Sequence, residues 1–265
     1  MSIQKEKISN EISNEISEDN ILNPNIIIDE KAKVKAKAKI LTEDLGKIFE
    51  KSICLLYNIE YDSKYKYSIE DADKLKERLI KFKEVFPFNI IHSAKNGSRY
   101  DFTGLEDLNI KLSAKTSKKD GKVCPQVIGQ PSKKKFCEYF EIDNSSDLEE
   151  IKKYIENNLI KLLKKYYDFT FDCPIIYYNK NKNKLLFIRR NNMDNIYYNI
   201  DWTKYNIEFS HIKKNKKWGE SSSISIDNIT IGEFQIHNHR DCIKFRWAFE
   251  NLLGLFKDYF NITIL

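Results

Sequence analysis

The spacing of apolar residues changes period along this chain, and that change rules out both an all-helical and an all-strand fold. Leu45, Ile48, Phe49, Ser52, Ile53, Leu56 and Tyr57 recur at helical spacing behind Thr42, which can cap, and Glu43 and Asp44, which suit a helix N-terminus. Ala72, Leu75, Leu79 and Phe82 form a second stripe, predicting a helix from about Glu70 to Val85 that Pro87 stops. Period two then takes over. Asn89–His92 reads as a short strand, Asn96-Gly97 as a turn, and Arg99–Thr103 and Leu108–Thr116 as the strands of a hairpin centred on Leu105. Ser145-Ser146-Asp147 begins a capped helix to about Tyr167; strands follow over 173–178, 184–190, 196–200, 205–212 and 222–235, then a last helix from Asp241 to about Tyr259. This order predicts a mixed α/β (α+β) fold, a central mixed sheet flanked by helices with a strand-rich C-terminal half.

Residues 1–41 contain a near-repeat of Ile-Ser-Asn-Glu and a lysine run over 31–39, and read as a flexible polar and basic tail ahead of a single domain over 42–265. At 13% aromatic residues, most of the 265-residue chain has the apolar surface that folding requires. The 45 basic residues are nearly offset by 39 acidic ones, for a net charge of +6, so any polyanion site must come from clustering. The Lys, Asn and Ile bias resembles the product of an AT-rich genome, which removes lysine count as an argument. No apolar run approaches the ~20 residues of a membrane helix and the N-terminus is polar, so no membrane is expected as a partner. The expected location is intracellular: cytoplasmic, or nuclear or viral-factory for a eukaryotic or viral source. The five cysteines are widely spaced without a CxxC pair and read as reduced thiols. No Walker loop, GxGxxG, GxSxG or HExxH motif occurs.

The densest chemical signal is Arg99-Tyr-Asp-Phe-Thr-Gly-Leu-Glu-Asp-Leu-Asn-Ile-Lys-Leu-Ser-Ala-Lys-Thr. It sets Asp101 on one strand of the hairpin and Lys111 and Lys115 on the other. Metal-dependent hydrolysis of a phosphodiester needs a carboxylate for the ion, a further oxygen ligand, and a lysine near the attacking water and the developing charge. Alternation puts residues 109, 111, 113 and 115 on one strand face, so parity leaves both lysines open.

This stretch resembles the PD-(D/E)xK nuclease superfamily, in particular its type II restriction endonuclease-like members. Asp101 matches the first acid. Ser113-Ala114-Lys115 matches the acid-x-lysine triplet with Ser113 in place of the acid, and Asn109-Ile110-Lys111 is the second register. Leu112-Ser-Ala-Lys-Thr is similar to the Glu-x-Lys-Thr segment of mismatch-repair nicking endonucleases, which favours Lys115. Leu45-Gly-Lys-Ile-Phe-Glu50 resembles the helix before the core hairpin, where a glutamate often helps bind metal, so Glu50 is the candidate for the missing carboxylate. The resemblance implies a restriction-endonuclease-like central sheet, a catalytic core over about 42–140, Mg²⁺ (with Mn²⁺ able to substitute) on Asp101 and Glu50, double-stranded DNA as substrate, and a homodimer. It also implies sequence-specific, restriction-modification-type cleavage.

Two further segments suit DNA contact. Residues 121–136 mix Gly, Pro, amides and cations as a ligand loop does, with Gln126, Gln130, Ser132, Lys133 and Lys134 as candidates. Within a C-terminal DNA-contacting part over about 170–265, Gln235, His237 and His239 alternate onto one strand face, and Arg240 and Lys244 lie near one face of the start of the last helix, with Trp247 beside them. Phe245, Phe249, Leu252, Leu253 and Phe256 read as core. The His-x-His pair also suits a transition metal, but no Cys or acid stands at ligand spacing. Two rivals remain: a non-catalytic nucleic-acid-binding protein on the same fold, as Ser113 would suggest, and an interaction protein whose lysines reflect genome composition.

Overall fold

The computed structural model describes residues 42–94, 98–118, 121–125, 132–191, 199–237, 239 and 241–265. The tail over 1–41 and the turn at Asn96-Gly97 lie outside the described residues.

Helix α1 (Thr42–Tyr57) buries Leu45, Ile48, Phe49 and Ile53, the stripe its spacing predicts. The second stripe forms two helices instead of one, α2 (Ile69–Arg78) and α3 (Ile80–Val85), which break at Leu79. Ser68 caps α2 by accepting the Asp71 N–H. Strand β1 (Ile90–His92) pairs antiparallel with β2 (Phe102–Gly104), and β2 with β3 (Lys111–Ser117). The chord of this hairpin is tight at Gly104, where a Cβ would stand 2.2 Å from the Asp107 carbonyl oxygen.

After the short β4 (Lys122–Val123) come α4 (Lys133–Phe140), α5 (Leu148–Asn157) and α6 (Leu159–Thr170). The predicted helix over 145–167 starts at an Asp147/Glu150 capping box and breaks at Asn158. These helices carry the chain to β5 (Ile175–Asn179), parallel to β3, and then to β6 (Lys184–Arg190). With the C-terminal β11 (Phe260–Ile264) they complete a six-stranded mixed sheet ordered β1-β2-β3-β5-β6-β11. β5 is buried at every position: Ile176 and Tyr178 meet the α1–α3 core, while Ile175 and Tyr177 meet a second core.

That second core belongs to a five-stranded antiparallel sheet, β4-β10-β9-β8-β7, built from β7 (Ile207–Phe209), β8 (Ser221–Ile226), β9 (Ile229–His237) and β10 (Cys242–Ala248). Here the structure departs from expectation. The segment 222–235 is two strands, joined at Asp227-Asn228, both with positive φ (46° and 69°), as a two-residue hairpin turn requires. β7 is shorter than 205–212 because the chain turns into α7 (Ser210–Lys213). The strand predicted over 196–200 falls on residues that are mostly outside the description.

The predicted last helix over 241–259 is overturned. Its first part is β10, and only Phe249–Leu255 is α-helical, as α8, with a 3-10 turn over Lys257–Tyr259 behind it. Ile243, Phe245 and Trp247 point into the core and Lys244 and Arg246 point out, a period of two. Among the described residues, no helix is long and apolar enough to cross a membrane.

Candidate active site

Asp101 lies at the mouth of β2, where the Ser93 N–H donates to its carbonyl (2.9 Å) and its own N–H donates to Leu112 (3.2 Å). Its carboxylate is gripped by β3. Oδ2 accepts from the Ser113 hydroxyl at 2.8 Å and the Ala114 N–H at 2.7 Å, and the Lys115 Nζ stands 3.7 Å away. Lys115 and Asp101 side chains are only 17% and 19% exposed, so this ion pair is shielded from much of the bulk dielectric. Ser113 is fully buried.

Lys111 does not join this group. Its Nζ sits over the Tyr100 ring, 4.8 Å from the centroid, and Tyr100 is held in turn by its hydroxyl donating to Asp172 at 2.5 Å. Arg99 also pairs with Asp172, at 2.6 Å, and lies over Phe169 at 3.8 Å, so the hairpin is fastened to the end of α6. Asn109 is exposed in the turn ahead of β3, its N–H donating to Asp107 at 2.8 Å. Geometry therefore separates two lysines that strand parity could not: Lys115 meets the acid and Lys111 meets a ring.

Glu50 approaches from the helix side of the sheet. α1 crosses β3 closely at Gly46, where a Cβ would lie 3.8 Å from the Thr116 hydroxyl, and Glu50 is one turn further on. Its carboxylate meets His92 Nε2 at 3.4 Å rather than Asp101. His92 was not singled out by sequence. It is buried, stacked on Tyr61 at 4.5 Å, and its Nδ1 accepts the Asp62 N–H at 3.0 Å, which leaves the ring proton on Nε2 facing Glu50. His92→Phe keeps the stack but removes both partners. We expect a loss of about 1–3 kcal/mol in urea unfolding; an unchanged midpoint would show that the two hydrogen bonds contribute nothing.

Of the remaining candidates, Gln235 and Lys244 lie on the outer face of the second sheet. Gln235 of β9 is the ladder partner of Lys244 on β10, and Glu233 that of Arg246. Glu233 accepts from Lys122 of β4 at 2.7 Å and from Arg246. Burial opposes its charge, but these hydrogen bonds and cations prevail and hold its carboxyl below the usual range. Burial pushes the Cys124 thiol up, against the opposing pull of the Arg246, Lys115 and Lys244 charges. Ser132 caps α4 by accepting the Lys135 N–H at 3.2 Å. The Lys133 N–H donates to Asp241 at 2.9 Å, which brings Lys133 and Lys134 beside the start of β10. His237 and His239 both face Glu220. Gln126, Gln130 and Arg240 lie outside the described residues.

No family model matches the chain, and no solved structure gives a significant match. Over 227 residues it is 47% identical to the type II restriction enzyme CviAII of Paramecium bursaria Chlorella virus 1. The likeness is to a type II restriction enzyme and runs over most of this chain. The alignment covers 85% of this chain and 64% of that enzyme, so the chain spans less than two thirds of its relative's length. In the mixed sheet, Asp101 just ahead of β2 faces Ser113 and Lys115 of the neighbouring β3.

Proposed function

We propose that this chain is a metal-dependent, sequence-specific DNA endonuclease of the type II restriction kind, with residues 42–265 as its working domain. The observation that carries the reading is the Asp101–Lys115 pair on the hairpin, read together with the chain's likeness to a type II restriction enzyme. Asp101 and Glu50 offer carboxylate oxygens, with the Ser113 hydroxyl beside Asp101, a hard-oxygen set suited to Mg²⁺ or Mn²⁺. When bound there, a divalent ion would polarise the scissile phosphate and lower the pKa of a water. Asp101 is held in place by the Ser113 hydroxyl and the Ala114 N–H, so it needs little reordering to serve as a ligand. Lys115 supplies positive charge where the phosphorane develops negative charge. Gln235 and Lys244, with Ser132, Lys133 and Lys134, supply DNA contacts: amides to base edges, cations to phosphates. A homodimer is the arrangement that cuts both strands.

Ser113 favours one rival, a chain that binds DNA without cutting it. Incubation with plasmid and genomic DNA in Mg²⁺ or Mn²⁺ decides between them: discrete fragments are expected, and intact DNA with tight, salt-dependent binding would establish the rival. In the same assays, binding should weaken linearly with log salt, and Lys244→Ala should reduce that slope by about 1. An unchanged slope would remove Lys244 from the interface.

A further inference from the structure

The pairing of β8 with β9 brings together, at the end away from the Asp227-Asn228 turn, three residues that are far apart in sequence. Glu220 immediately precedes β8, His237 ends β9, and His239 lies in the turn to β10. Their positions are fixed by the sheet: Ser221 is the ladder partner of Gln235, and the Ile236 N–H donates to the Glu220 carbonyl at 2.7 Å. Each imidazole takes a different oxygen of the one carboxylate, His239 Nδ1 at 3.0 Å from Oε1 and His237 Nδ1 at 3.3 Å from Oε2. The rings are 5.4 Å apart between centroids, and one ligand atom from each of the three residues lies within 4.8 Å of the others. Among the described residues this is the group of three or more His, Cys, Asp or Glu side chains whose donor atoms converge so closely.

Two imidazole nitrogens and one carboxylate oxygen are the donor set that Zn²⁺ and its neighbours take when one coordination position stays open to water or a phosphate oxygen. Mg²⁺ demands six hard oxygens and is poorly served by imidazole. Ligand atoms now hydrogen-bonding across 3.0–3.3 Å need only small side-chain rotations to converge on an ion. Entry is open, since Glu220 is 48% and His239 64% exposed. We propose that Glu220, His237 and His239 form a second divalent-cation site, selective for zinc-class ions over Mg²⁺, that fastens the β9–β10 turn to the start of β8. Through Asp241, which holds the Lys133 N–H, the same turn steadies the head of α4. Sequence spacing hid the site because the acid lies 17 and 19 residues from the two histidines and only strand pairing unites them. The site stands on its own residues, whether or not Asp101 serves in cleavage.

The test is Co²⁺ and Zn²⁺ titration of chelator-treated full-length protein, followed by calorimetry and by the visible absorption of Co²⁺. One site is expected that persists in excess Mg²⁺ and in Asp101→Asn, and that weakens at least about tenfold in both His239→Ala and Glu220→Gln. His239 is an exposed turn residue, so that variant should keep the wild-type circular dichroism and metal-free melting temperature. Binding lost in Cys124→Ser or Cys242→Ser but kept in His239→Ala would overturn the proposal, as would a single site that Asp101→Asn abolishes or no saturable binding at all.

Discussion

Asp101→Asn should lower DNA cleavage by about 10²–10³-fold or more while leaving salt-dependent DNA binding intact or tighter. Asparagine preserves the shape and one acceptor oxygen, so the Ser113 hydroxyl and the Ala114 N–H still have a partner. What disappears is the charge, and with it both the oxygen ligand for a cation and the counter-ion that holds Lys115 at 3.7 Å. Lys115→Ala should produce a comparable loss for the complementary reason, since no other described lysine pairs with Asp101. Lys111→Ala should retain most activity because its ammonium is occupied by Tyr100. Measured by initial rates on supercoiled plasmid, equal losses for Lys111→Ala and Lys115→Ala would refute the assignment. A rate that survives Asp101→Asn would remove the hairpin from catalysis altogether.

Much of this site was legible because strand alternation is a strict rule. Period two places residues 111, 113 and 115 on one face, opposite an acid one strand away. What alternation does not contain is the neighbour that captures each side chain: Tyr100, adjacent to the acid, takes Lys111 and leaves Lys115 to pair with Asp101. His92 was hidden for a similar reason, since its role depends on Tyr61, Asp62 and Glu50, which come from the preceding helix and loop. The fold was read well where breakers punctuate it and poorly where they do not. Pro87 closed the second helical segment correctly, but nothing in Arg78-Leu79-Ile80 announces the break there. The sequence reads β8 and β9 as one strand because Asp227-Asn228 lacks the glycine that usually marks a two-residue turn, and two Asx residues carry its positive φ instead.

The largest stability effect should come from Trp247→Ala, and it bears directly on the overturned C-terminal helix. The strand β10 runs into α8 without a Gly or Pro between them, so the helical spacing of Phe249, Leu252, Leu253 and Phe256 extends backward on paper over residues that alternate. On a helix starting at Asp241, Trp247 would lie near Lys244 on an outward face, and truncating it would change stability by less than about 0.5 kcal/mol. In the strand it is fully buried, packs edge-on against Phe245 at 4.6 Å and parallel to Trp202 at 6.3 Å, and its indole N–H donates to the Thr170 hydroxyl at 2.8 Å. That hydrogen bond joins the second sheet to the last residue of α6, whose hydroxyl also donates to the Tyr166 carbonyl at 2.6 Å. Removing the ring leaves a cavity between two layers that cannot fully collapse, at a cost of about 3–5 kcal/mol. For a chain of this size that corresponds to a fall in melting temperature on the order of 10 °C. Trp247→Phe restores most of the volume and isolates the hydrogen bond, for which about 1 kcal/mol is expected. Denaturant midpoints for the two variants beside Lys244→Ala, which should be near neutral because its side chain points outward, separate the strand from the helix: a small shift for Trp247→Ala would put the residue back on the surface.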